Sequence, residues 1–149
     1  MEIKNAPKKA SKIQFDEFLS ELRKKYPSPK KEAGDEIYSY LNDKLISSSA
    51  NDAMWEDGGM ELITGAIMYL LESSKKPLTI DDIYDALELK LILDDRQEIL
   101  IKKFSKSSKL VQKYMAGIIE SASGSFKGYI AVAKKQLNDL SFNKCLRKA

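Results

Sequence analysis

Five lysines crowd one short stretch of the chain: Lys102, Lys103, Lys106, Lys109 and Lys113. Lys102, Lys106, Lys109 and Lys113 are spaced 4, 3 and 4, so on a helix they form one stripe, with Lys103 beside it. Lys127, Lys134 and Lys135 continue the basic character, and Lys144, Arg147 and Lys148 close the sequence. Lysine stripes contact phosphates without reading bases. Arginines are few (Arg23, Arg96 and Arg147), so bidentate readout of base edges is poorly provided. The chemistry on offer is therefore binding, to nucleic acid or to an acidic protein. The plainer alternative is a solvated helix face, or one that docks on the acidic middle of the same chain.

Nothing in the sequence assembles a catalyst. There is no histidine, which removes the usual general base and the usual metal ligand. The single cysteine, Cys145, excludes a disulfide within the chain and a cysteine metal cluster, and with no histidine no Cys-His or Ser-His nucleophile can be assembled. The phosphate loop Gly-x-x-x-x-Gly-Lys-Ser/Thr, the dinucleotide fingerprint Gly-x-Gly-x-x-Gly and the zinc helix His-Glu-x-x-His are all missing. Paired carboxylates occur at Glu56-Asp57, Asp81-Asp82 and Asp94-Asp95. Each pair falls at the start of a predicted helix, where capping explains it, and carboxylates without a substrate phosphate are weak Mg²⁺ signals. No catalytic residue, metal ligand or cofactor is assigned, and the chain by itself is not expected to be an enzyme.

The 149 residues allow one domain with a real core, and a composition 43% hydrophobic and 32% charged is that of a globular chain. The net charge of +3 conceals an asymmetry. Residues 1–50 carry 10 basic and 8 acidic side chains, residues 51–100 carry 4 and 12, and residues 101–149 carry 11 and 2. An acidic middle and a basic end suggest two electrostatic faces, which pair with each other or meet different partners. No apolar run reaches the length of a membrane span and the lysine-rich start has no signal-peptide core, so a reducing, cytosolic setting is expected.

The elements that must position these groups read as helices. Residues 1–12 are a flexible basic arm or linker. Ile13 to Tyr26 is an amphipathic helix, with Arg23, Lys24 and Lys25 placed to complement its C-terminal dipole, and Pro27-Ser28-Pro29 stops it. A second helix spans about Lys31 to Ile46. The stretch from Asn51 to Ser74 is the predicted centre: apolar on most sides, capped by Asn51 or Asp52, and holding the only tryptophan, Trp55. Gly58-Gly59 inside it points to close packing of a neighbouring helix, or else to the approach of a ligand or partner backbone. Trp55 is expected in the core, so Trp55→Ala is expected to cost about 3–5 kcal/mol.

Thr79 and Asp82 have capping-box spacing and open a short helix, Ile80 to about Leu87. Leu89 to Leu93 is expected to be a loop or a helix end, and Asp94-Asp95 the next cap. Ser105 to Ser108 is a break. From Leu110 to Leu140 the apolar residues step by three or four through Gly117, Gly124 and Gly128, which predicts one continuous helix from about Ser108 to Asp139, bent near Gly124. Gly117, Ser121, Gly124 and Gly128 would then share a face for helix packing or for a partner. Ser141 to Ala149 would leave the helix. With no strand or internal repeat indicated, the fold class is all-α, a bundle of about six or seven helices with a central apolar helix and a long C-terminal one.

The run Asn51-Asp52-Ala53-Met54-Trp55, followed by Gly59, Leu62, Ile63, Ala66, Ile67, Tyr69, Leu70 and Leu71, resembles a signature of the TraG/TraD-like type IV coupling proteins, the conjugation ATPases that feed type IV secretion channels. There an Asp-x-x-Trp element opens a hydrophobic helix that ends in a Tyr-Leu pair. The run from Lys113-Tyr114 through Ser121 to Lys127 and on to Leu137, then Phe142 and Arg147 to Ala149, resembles the long helix that returns the chain to the ATPase core. Ala53 stands where a proline is frequent, and Gly58-Gly59 where bulkier residues are. The family's nucleotide motifs are absent.

The resemblance implies that residues 13–149 form the all-α domain inserted in a RecA-like core that this sequence lacks. It implies a role in recruiting a relaxase or relaxosome accessory proteins, with DNA contact through the lysines. ATP and Mg²⁺ would belong to the missing core, and the parent would be a hexamer at the inner face of the cell membrane, this domain facing the cytoplasm without touching the bilayer. Asp52, Trp55 and Tyr69 carry the signature and are expected to be structural. Both ends of an inserted domain should lie close together. The rival expectations are a free-standing helical DNA-binding or regulatory protein, and an assembly domain with no substrate of its own.

Overall fold

The computed structural model describes residues 8–45 and 53–142. Among these residues there are seven helices and no strand: α1 (Lys8–Lys25), α2 (Lys31–Lys44), α3 (Ala53–Ser73), α4 (Ile80–Ala86), α5 (Arg96–Phe104), α6 (Lys109–Ile119) and α7 (Ser123–Phe142). The all-α bundle expected from the periodicity is what forms. The expected caps Asn51 and Asp52, the arm before Lys8 and the basic tail after Phe142 lie outside the described residues.

α3 is the axis. Gly58 to Met60, Leu62 to Met68 and Leu71 are all buried along it. Four helices pack on it, α7, α6, α2 and α4, while α1 lies on α7 and touches α4, and α5 packs on α6. A helix surrounded this way keeps only a narrow outer edge, occupied by Asp57 and Glu61, which is why the rest of its sequence is apolar. Thr64, the polar residue in its buried run, satisfies its hydroxyl by donating to the carbonyl of Met60 at 2.8 Å.

The Gly58-Gly59 pair is explained by packing. A Cβ at Gly58 would overlap the ring of Tyr129, and one at Gly59 would run into the Gln136 side chain and meet Val132 Cγ1 at 3.0 Å. Gly128 on α7 returns the arrangement: a Cβ there would sit 2.6 Å from the Trp55 ring. Trp55 and Tyr129 lie against each other with ring centroids 4.8 Å apart. Trp55 is thus the lid of the α3–α7 seam. It is half-buried rather than in the core, which lowers the expected cost of Trp55→Ala below the figure for full burial.

Three expectations are corrected. The first helix starts at Lys8, not near Ile13. Lysine and alanine are good helix formers, so Lys8 to Lys12 extend the helix without an apolar period to announce it. Arg23 does not serve its own helix end. Its guanidinium donates to the carbonyls of Leu71, at 3.0 Å, and Ser74, capping the C-terminus of α3 instead.

The third correction is the largest. The long C-terminal helix is two helices, broken at Glu120 to Ala122. The Gln97 side chain donates to the carbonyls of Ile119, at 2.9 Å, and Ser121, at 2.7 Å, satisfying groups that a continuous helix would have used internally. Ser121 Oγ donates to the carbonyl of Ile118. The apolar phase survives because α6 and α7 both pack on α3 and three connecting residues fall close to one helical turn. The supposed small-residue face is dispersed: Gly117 and Gly124 have nothing within 4 Å of a Cβ, and of the three glycines only Gly128 is a packing site.

Of the expected caps, the Thr79–Asp82 box forms, whereas Asp57 accepts from the Tyr38 hydroxyl instead of capping α3. Asp82 Oδ2 accepts from the backbone N–H of Thr79 at 2.9 Å, and Asp16 Oδ1, from α1, accepts from that of Ile80. Asp95 occupies the N-cap position of α5 but makes no side-chain cap bond. Leu89 to Leu93 is an irregular turn: Leu89 is buried, Leu91 and Ile92 are exposed, and Arg96 holds the loop by donating to the carbonyls of Glu88 and Leu91.

Candidate functional site

The lysine cluster is built on a corner. α5 ends at Phe104, which is buried and meets Tyr69 of α3 edge-on, with ring centroids 4.8 Å apart. The chain turns through Ser105 to Ser108 and α6 begins at Lys109. Ser108 is its N-cap, accepting from the backbone N–H of Val111 at 3.3 Å. Gln112 reaches back from α6 to donate to the carbonyls of Ser105 and Ser107. Glu72, from the end of α3, accepts from the N–H of Ser108 at 3.1 Å. The corner is thereby tied to both of its helices and to the central one.

Lys102 lies in the last turn of α5, Lys106 in the corner itself, Lys109 at the first position of α6 and Lys113 one turn further on. All four are exposed. The single stripe expected of one helix is replaced by a fan across two helices and their connection, because the serines end α5 and cap α6. Lys103 leaves the group. Its ammonium donates to Glu88 Oε2 at 2.6 Å and to the carbonyl of Ala86 at 2.9 Å, bracing the end of α4. That one lysine does dock on the acidic middle of the chain.

The other four do not. Among the described residues Lys102, Lys106, Lys109 and Lys113 have no hydrogen bond, ion pair or ring partner. Several other lysines are paired, Lys25 with Glu36 at 2.8 Å, Lys90 with Asp85 at 3.1 Å and Lys135 with Asp139 at 3.2 Å, while Lys30, Lys31, Lys75, Lys127 and Lys134 are exposed like the corner lysines but scattered over the surface. The reason is local. No acidic residue occurs between Ile99 and Ile119 in the sequence; of the carboxylates brought in from outside, Glu88 is taken by Lys103 and Glu72 by the N–H of Ser108 at the helix start. Four hydrated ammonium groups on flexible stems can contact an anionic polymer as point charges. Base reading would need arginine, and both described arginines are bound to backbone carbonyls.

Of the other residues singled out in the sequence, Trp55 and Tyr69 are packing residues at the two ends of α3, and Asp52 lies outside the described residues. Glu72 and Gln97 hold the two α6 junctions and were missed: each acts on residues more than 20 positions away, and neither belongs to a motif. Among the described residues no group of three or more acidic or cysteine side chains could hold a metal ion, and no helix is long and apolar enough to cross a membrane. Comparison with known proteins returns no matching family model, no matching curated protein and no matching solved structure.

Proposed function

We propose that this chain is a substrate-recruiting helical domain of the kind found in TraG/TraD-like conjugative coupling proteins, binding a relaxase–DNA complex or its accessory proteins. The observation that carries a binding role is the corner of four exposed, unpaired lysines. The specific assignment leans on the signature around Trp55 and Tyr69. In this reading ATP and Mg²⁺ belong to a RecA-like core outside this chain, the parent is a hexamer on the cytoplasmic side of the membrane, and the domain itself performs no chemistry. The second reading is a free-standing DNA-binding or regulatory protein, favoured by the same lysine corner.

Binding of labelled duplex DNA across a salt series tests the corner, with K102E/K106E/K109E/K113E beside the wild type. If the corner contacts phosphates, wild-type affinity falls steeply with salt, and the variant loses a log–log slope of about 0.9 for each contact removed. If neither protein binds DNA while both stay folded, the corner is a solvated face and protein-cargo recognition leads. A pull-down with the relaxase and accessory proteins of one conjugative element then separates the readings. Capture by the wild type favours the coupling-protein domain, and DNA binding without capture favours the free-standing protein.

A further inference from the structure

The first two helices diverge from the turn at Tyr26. α1 lies on α7 and α4, whereas α2 lies on α3. Where the two face each other they meet through aromatic rings: Phe18 stacks on Tyr40 with centroids 4.0 Å apart and planes within 14°, and Phe15 backs Tyr40 at 5.9 Å. Beside the stack an open cleft of about 480 Å³ runs along α2, lined by Phe18, Asp35, Glu36, Ser39, Tyr40 and Asp43.

The charges of this cleft do not cancel. Glu36 is taken by the Lys25 ammonium, at 2.8 Å, and by the Tyr26 hydroxyl. Asp35 and Asp43 are exposed and have no hydrogen bond or ion pair among the described residues. They sit eight residues apart on one edge of α2, with Ser39 midway, which separates them by about 12 Å at the rise of an α-helix. The aromatic floor already attracts a cation from its own helix: the Lys44 ammonium lies 5.7 Å from the Tyr40 ring. Burial, with Asp43 second, pushes the Tyr40 hydroxyl up to about 12, so the phenol stays neutral and adds no charge of its own.

We propose that the α1–α2 cleft is a docking groove for an extended segment of a partner protein that carries two basic side chains flanking an apolar one. In an extended strand, residues i, i+2 and i+4 point to one side and span about 13 Å. A Lys-x-Leu-x-Lys segment therefore presents ammonium, aliphatic and ammonium groups in register with Asp35, the Phe18–Tyr40 stack and Asp43. Each exposed carboxylate–ammonium contact is weak by itself, so recognition rests on the spacing. The groove shares no residue with the lysine corner and does not depend on the coupling-protein reading.

The test is an NMR titration of the full, isotope-labelled chain with the peptide Gly-Ser-Lys-Ser-Leu-Ser-Lys-Ser-Gly, beside an isomer whose two lysines are adjacent. The expected result is shifts confined to the lining of the cleft and about five-fold weaker binding of the isomer. D35N/D43N should weaken the first peptide by about the same factor and bind both peptides alike, with an unchanged melting temperature because both aspartates are exposed. K102E/K106E/K109E/K113E should bind the first peptide as the wild type does. Equal binding of the two isomers, shifts centred on other acidic segments, unaltered affinity in D35N/D43N, or no shifts at millimolar peptide would each overturn the proposal.

Discussion

Lys102 and Lys103 are neighbours in sequence with opposite uses. Lys102 stands in solvent, whereas Lys103 holds Glu88 and the last carbonyls of α4. Lys103→Met should therefore cost about 1.5–3 kcal/mol, the worth of hydrogen bonds to a charged group, while Lys102→Met should stay within about 0.5 kcal/mol. Urea denaturation of the two variants reads the difference directly. No residue type or spacing marks which of the pair turns inward; that is decided by where α4 ends. Glu36 is a second case of a charge committed to structure. The Lys25 ammonium first, then the Tyr26 hydroxyl, hold its carboxyl below the usual glutamate range. A depressed carboxyl contributes its stability above about pH 4.3, the unfolded value, and loses it as pH falls through the folded value. Glu36→Gln should flatten the acid limb of a melting-temperature profile and leave the neutral region with a constant offset. An unaltered acid limb would show that the contact is too solvated to count.

At the scale of elements, the period and one capping box are readable and corners are not. Apolar residues three or four apart announce all the helices, with α6 and α7 read as one, and the Thr79–Asp82 box announces α4 as well. The break at Glu120 to Ala122 escapes because the sequence keeps its phase across it, and its stabiliser, Gln97, comes from another helix. The glycines divide along the same line. Their presence in α3 signals close approach, but the contrast between Gly58 and Gly117 needs the neighbours. Gly58→Ala should destabilise by about 1–3 kcal/mol through overlap with Tyr129, whereas Gly117→Ala, in open space on α6, should stabilise by about 0.5–1 kcal/mol. Chemical denaturation of both gives opposite signs if the packing is as described. The lysine corner was half legible: its residues were named from spacing, but the fan across two helices follows from Ser105 and Ser108, whose capping role outweighs the continuity the lysines suggested.

At the scale of the molecule, the acidic middle and basic end of the sequence do not neutralise each other among the described residues. Lys103 bridges the two blocks to Glu88, Lys135 pairs with Asp139 of its own block, and the four corner lysines are left unpaired among the described residues. Charge counted along the chain therefore located the candidate site without foretelling its exposure. The position of Trp55 at the α3–α7 seam has an optical consequence. It is the only tryptophan, and one ring against Tyr129 and the open side of Gly128 makes its emission a reporter of that seam alone. Far-ultraviolet ellipticity reads every helix at once. During a denaturant titration the two signals should superimpose if the bundle opens as one cooperative unit. A fluorescence transition that leads the ellipticity would mean that α7 peels from the central helix first, and the same chromophore would then time that event in a stopped-flow trace.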